Sequence, residues 1–342
     1  MIVKFIWRRP LVVGFIALFA SGASSAEPFY KGKTIRFVIS TGVAGGYAEY
    51  ARSLATYLPG HIEGAPAIVV QSMPGAGGLL AGNHLYFQAA QDGTVLGLVH
   101  STVPLAPLWG IAGARYDGLK FNWLGAMDRE DGVCTLWHTS ATKTWADMLA
   151  RETLVGSQGV GSPTELYPQI LNRIFGARIK IINGYHDGTD IDVAMQRGEL
   201  EGRCGTHLAT YKALHPDWFN ENKLIMPIAV SEQRLAEFPD SSSVFEFVHD
   251  DETRQKLQLL MTTQYLDRPL LMPPNTPEER VAELKKAIDE TTSDPAFLRE
   301  MATKNLPVNP TRGAEMAQRL RKAYATPPQV IGSIRDLMGT AQ

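Results

Sequence analysis

The apolar positions of this chain switch period repeatedly. Over residues 34–40, "TIRFVIS" is rich in β-branched residues and reads as a strand. Over 49–59, "EYARSLATYLP" has helical spacing, with Tyr50, Leu54, Tyr57 and Leu58 on one face. The exchange repeats, with a strand over 67–73, a helix over 79–90 and a strand over 94–101. This alternation predicts an open α/β sheet of parallel strands. After "KFNWLGAM" at 120–127 the rhythm starts afresh. "VCTLWH", "ETLVGS", "RIKIING" and "EGRCGTHL" read as strands, with "TWADMLAR", "ELYPQILNRIF" and "DIDVAMQRGEL" as the helices between them. Two α/β units on one plan follow.

The tail reads as helical. Thr276, Pro277 and Glu279 fit a capping box, with threonine at the N-cap and proline at the first helical position. Further helix starts are expected at Asp294–Pro295 and near Thr311. Too few strands remain for a third domain, so the tail should pack back onto the first sheet. The chain would then cross between lobes twice, around 121–131 and 263–272. Two lobes with two crossings suit a hinge that closes on a ligand.

Composition narrows the function. A chain of 342 residues is too long for one ordinary core. A net charge of -2 gives no electrostatic footprint for nucleic acid. Lys4, Arg8 and Arg9 precede a short apolar run at 11–20, and small residues at Ser24 and Ala26 suit cleavage after Ala26. That pattern predicts a secretory signal over 1–26 and an exported mature chain. Export allows a disulfide between Cys134 and Cys204, both in strand-like contexts. The residues leave a disulfide and two separately buried thiols equally open, and neither cysteine forms a CxxC.

Catalytic and cofactor motifs are missing. The bend "STGVAGGY" at 40–47 joins a strand to a helix, as phosphate loops do, but it has no lysine. Gly75–Ala76–Gly77 begins a dinucleotide fingerprint, but Leu80 stands at the third glycine position. The eight histidines are scattered, and His84, His100 and His138 each read as isolated structural groups. No GxSxG elbow occurs. The expectation is a non-enzyme with no cofactor and no metal. What remains is three glycine-rich bends, at 40–47, 73–78 and 156–162. They fall at carboxyl ends of strands, where open α/β sheets bind ligands. Exposed amides, with hydroxyls such as Thr41, Ser157, Ser162 and Thr164, can hold a carboxylate without a fixed cation.

Taken in order, "GKTIRFVISTGVAGGYAEYAR", "IVVQSMPGAGGLLAGNHLY", "DGTVLG", "LVGSQGVGSPTE", "GELEGRC" and "RPLLMPPNTPEERVAEL" cover nearly the whole mature chain. This set closely resembles the exported solute-binding proteins of tripartite tricarboxylate transporters, the Bug receptor family. The resemblance implies a type II periplasmic-binding-protein fold, a Venus flytrap of two lobes: 27–128 with 268–342, and 129–267. It implies a monomeric periplasmic receptor that closes on a small organic acid and delivers it to a membrane permease of one large and one small subunit. A ligand-sensing receptor that docks on a sensor kinase is the alternative.

The ligand site carried over by resemblance falls on Thr41, Gly42, Val43, Ala44, Gly45, Gly46 and Tyr47, then Pro74, Gly75, Ala76 and Gly77, with Ser101 and Thr102 beside them. From the second lobe come Ser157, Gln158, Gly159, Val160, Gly161, Ser162 and Thr164, together with Tyr185. Arg129 and Arg268 lie near the crossings, where either could meet an acidic ligand. The fold implied by the resemblance also sets the strands of Cys134 and Cys204 side by side, which favours the disulfide. One departure stands out: Ala48 occupies the family's usual aspartate position, which points to an atypical substrate. Glu49 is no substitute, since one helical step turns a side chain by about 100°. It is read as a partner of the helix dipole.

Overall fold

Residues 1, 2 and 27–339 are described in the computed structural model, so the expected secretory signal and its cleavage site fall outside the described residues. The β-branched and aliphatic runs build two six-stranded sheets. The first holds β1 (Thr34–Ile39), β2 (Ala67–Ser72), β3 (Val95–Leu98) and β4 (Asn122–Asp128). The second holds β5 (Gly132–Trp137), β6 (Thr153–Ser157), β7 (Ile179–Asn183), β8 (Gly202–Thr206), β9 (Leu224–Val230) and β10 (Ser242–Ser243). Then β11 (Asp267–Met272) and β12 (Thr311–Arg312) return to the first sheet.

The sheet orders are β12-β4-β11-β3-β1-β2 and β10-β9-β5-β8-β6-β7. In each, one strand is parallel to both its neighbours: β1 between β2 and β3, and β6 between β7 and β8. The expected parallel strands make up one part of each sheet, and β11 runs antiparallel to β3 and β5 antiparallel to β8. These are the strands that have just crossed between lobes. A crossing strand enters its sheet from the cleft side, where the parallel strands end, and must run the opposite way. β9 is a strand that the pattern does not predict. Pro227 interrupts it and falls where its register with β5 shifts.

The intervening helices are α1 (Gly45–Tyr57), α2 (Leu79–Phe87), α3 (Trp145–Ala150), α4 (Pro163–Phe175), α5 (Gly188–Gln196), α6 (Leu208–Leu214), α7 (Pro216–Asn220) and α8 (Asp251–Leu260). The tail adds α9 (Glu278–Thr291), α10 (Pro295–Thr303), α11 (Gly313–Tyr324) and α12 (Pro328–Met338). The capping box expected at Thr276 does not form. Pro277 is the N-cap of α9, and the buried Thr276 hydroxyl donates to the Pro273 carbonyl at 2.8 Å instead. Asp294 does cap α10, accepting from the Ala296 amide.

One face of the first sheet packs Phe37, Ile39 and Leu98 against Leu54 of α1, Leu284 of α9 and Phe297 of α10. Burying each such side chain contributes about 1.5–3 kcal/mol. A second core reaches across both lobes, joining Val38 and Leu85 to Ile170 of α4 and Ile334 of α12. In the second sheet Cys134 stands opposite Cys204 and the two form a disulfide, tying the crossing strand β5 to β8. No helix among the described residues is long and apolar enough to cross a membrane.

Candidate functional site

The carboxyl ends of β1, β3, β6, β7 and β8 meet between the lobes around a cavity of about 40 Å³. The first lobe contributes the turn into α1, where Ala44 caps the helix without any side-chain hydrogen bond. The early amides of a helix have no intrahelical acceptor, so this end offers donors and a positive dipole. Its counterparts in the second lobe, α4 and α5, are closed by Ser162 and Asp187 side chains.

Arg268 forms the floor. It follows the second crossing and is buried, at 1% exposure, with φ of +54°. Left-handed backbone at a non-glycine residue costs about 1–3 kcal/mol and persists only where surroundings impose it. Here Asp267 pairs with its guanidinium, Glu130 lies at 3.4 Å and the ring of Tyr50 stacks beneath at 4.3 Å. Thr210 of α6 accepts a hydrogen bond from the same guanidinium at 3.2 Å, a contact from the second lobe. His207 completes the cluster, 3.4 Å from Asp267. Burial alone would lower the His207 pKa, but the Asp267 and Glu130 carboxylates outweigh it and raise the value to about 9. Burial would raise Asp267, yet Arg268 and His207 hold it well below the usual carboxylate range. Burial pushes Asp128 upward, with nearby Glu130 and Asp267 adding to the shift.

A second buried guanidinium, Arg203 on β8, faces the cavity from the other lobe. Asp192 of α5 lies 3.2 Å behind it and also contacts His215, whose ring stacks flat on Trp218. Burial opposes its charge, and Asp192 more than compensates, so Arg203 stays ionised. Four buried polar atoms of cavity-lining residues lack a hydrogen-bond partner: Arg203 Nε, Arg268 Nε, Thr206 Oγ1 and His100 Nε2. Buried polar groups are nearly always satisfied. Four exceptions around one cavity make it the candidate site for a polar molecule.

The sequence-predicted residues divide. Thr41, Ala44, Gly45, Gly46, Tyr47 and Gln158 line the cavity. Gly42 lies beside it, its amide donating across the cleft to the His186 carbonyl at 3.3 Å, while Val43 faces solvent. The bend of Pro74, Gly75, Ala76 and Gly77 packs on the bend of Gly159, Val160, Gly161 and Ser162 rather than on the cavity. A Cβ on Gly77 would fall 2.3 Å from the Ser162 amide and 2.6 Å from the Val160 carbonyl. Thr102, beside Ser101, reinforces this seam by donating to the Gly161 carbonyl. Ser157 and Thr164 bond within their own loop, and Tyr185 packs on an apolar cluster with Ile191 and Leu200.

Three further expectations change. Arg129 turns away to Thr311 and Glu315. Glu49 lies beyond the first turn of α1 and pairs with Arg52 and Lys304, so solvent-side ion pairs explain it better than the dipole. Ala48 points into the apolar core and does not line the cavity.

No protein-family profile matches the chain, and no curated protein matches it in sequence. Solved structures do. The periplasmic binding protein BugD superposes with a TM-score of 0.70 at 16% identity, covering 90% of this chain and 98% of its own. MatC from Rhodopseudomonas palustris, with bound malate, gives 0.67 at 16% identity over 90% and 99% of the two chains. An R. palustris protein with adipate gives 0.67 at 14% identity over 89% and 97%. The chain has the two-lobed periplasmic-binding-protein fold.

On that fold, Arg203, His207 and Asp187, to which the sequence pattern does not point, line the cavity, as does His100, which the sequence presents as an isolated structural group. One signal was present: Arg203 interrupts an otherwise small and apolar strand, "GRCGT". A cation placed there has to be paired, and Asp192 pairs it. His100 carried no local signal, because its role depends on the turn after β1 and on Gly77.

Proposed function

We propose that this chain is an exported receptor of the Bug type, non-enzymatic and monomeric. It captures a small organic acid by lobe closure and hands it to a two-subunit membrane permease of the tripartite tricarboxylate kind. The observation that carries this reading is the donor set around the cavity. The Nε groups of Arg203 and Arg268 and the Thr206 hydroxyl have no partner, and the uncapped start of α1 adds amides and a positive dipole. A carboxylate satisfies such donors, and groups from both lobes contribute, so binding favours the closed arrangement. Malate and adipate in two structural neighbours agree with an acid ligand.

A thermal-shift screen of mono-, di- and tricarboxylates on the mature protein tests the reading. A dose-dependent rise in melting temperature with a particular acid is expected. No response to any organic acid, with chemical turnover of some compound instead, would overturn it.

A further inference from the structure

His100 differs in kind from the other unpartnered groups of the cavity. It follows β3, is 2% exposed, and meets the Tyr47 ring edge-on at 5.2 Å. Its Nδ1 lies 2.9 Å from the Gly77 carbonyl. A carbonyl only accepts, so Nδ1 carries the proton. In a neutral imidazole the other nitrogen is then a bare acceptor. Burial lowers the pKa of His100 to about 4, which keeps the ring neutral. Its Nε2 is buried without a partner in a residue that lines the cavity.

Arg203 Nε and Arg268 Nε only donate, and the Thr206 hydroxyl can donate or accept, so the cavity asks for an acceptor and, for His100, a donor in one small molecule. A carboxylate alone supplies only acceptors and would leave His100 Nε2 buried and unsatisfied. The cavity is small, about 40 Å³. A hydroxyl or amino group on the carbon next to the carboxylate is the most compact way for one molecule to carry both functions.

Resting on the carboxylate reading, we propose that the ligand is a small carboxylic acid with a hydroxyl or amino group on the carbon next to the carboxylate, and that this group donates its hydrogen to His100 Nε2. His100 is thus a specificity-determining residue. Sites built to hydrogen-bond a polar group reject the analogue that lacks it, because their own buried group is left unpaired.

Calorimetric titration with propionate, lactate and alanine, and with succinate, malate and aspartate, tests this at two ligand sizes. The preferred donor-bearing acid of at least one set should bind tenfold or more tightly than its bare counterpart. Lactate against alanine, and malate against aspartate, then separate a hydroxyl from an ammonium. In a folded His100→Phe protein the preference should collapse to within about threefold, since phenylalanine keeps the ring but removes the acceptor. Propionate and succinate binding as tightly as their donor-bearing counterparts would overturn the proposal without using any variant. So would a preference that survives in His100→Phe. If bare acids bind and donors make no difference, the carboxylate reading stands and this inference falls. If none of the six acids binds, this inference falls, and the carboxylate reading falls with it only when no acid of the wider thermal-shift screen binds either.

Discussion

The first glycine bend and the other two look alike in sequence and do different work. The turn from Thr41 to Tyr47 lines the cavity with uncapped helix amides. The bend ending at Gly77 and the one from Gly159 to Ser162 meet each other, backbone against backbone, and seal the lobes together. A glycine at a strand end reports that something approaches closely. Whether that is a ligand or another backbone depends on the far lobe, which local sequence does not contain. The cavity-lining turn and the seam between the lobes are distinct contacts that join where the Gly77 carbonyl accepts from His100, and substitutions can test them apart.

The largest effect is expected on the cavity side. Arg268→Met removes the cation that Asp267 and Glu130 share and leaves buried carboxylates uncompensated. Stability in urea unfolding should fall by about 3–5 kcal/mol, with ligand response lost. A loss below about 1 kcal/mol, the range of an exposed pair, would show that the cluster is not dry. Next comes Ala48→Asp, on the same helix but facing the core. Placing a carboxylate among Leu54, Phe37 and their neighbours should cost at least about 2 kcal/mol and leave the order of ligand preference unchanged. A switch in preference with stability intact would instead make position 48 a ligand contact.

Much of the architecture is legible in the chain. Alternating apolar periods predict the lobes, and the resemblance to exported receptors supplies the fold that solved structures share. The antiparallel crossings are not legible, because strand direction follows from the side by which β5 and β11 enter their sheets. Nor is the pairing of Arg203 with Asp192 or of Arg268 with Asp267 and Glu130. Glycine bends announce themselves locally, whereas a buried cation is defined by partners far along the chain. That is why, of the two guanidiniums lining the cavity, the sequence points to Arg268 near a crossing and not to Arg203.

On the closure side the effects are smaller. Gly77→Ala places a Cβ against the Ser162 amide and should hold the lobes apart. Affinity for the best acid is expected to drop about tenfold, or ~1.4 kcal/mol, and scattering at saturating acid should show a larger radius than for the unsubstituted protein. Unchanged affinity and radius would mean the seam is incidental to closure.

The smallest effect concerns pH. The folded pKa of His207, at about 9, lies above its unfolded value. Its contribution is therefore complete below about pH 6.5, the ordinary histidine value, and is lost as pH rises through 9. The raised Asp128 acts in the same direction, since the folded state there holds the extra proton. Melting temperature should decline between these limits and decline less in His207→Gln. A rising alkaline limb would contradict the charge assignment.

The account stands most directly on where the ligand's carboxylate lies. A crystal structure with the acid that raises the melting temperature most would locate it. The carboxylate is expected within hydrogen-bond distance of the first amides of α1 and of Arg203 or Arg268, with the Gly77 seam closed. An acid bound outside the cleft, or bound inside it with its carboxylate away from both guanidiniums and from α1, would contradict the account.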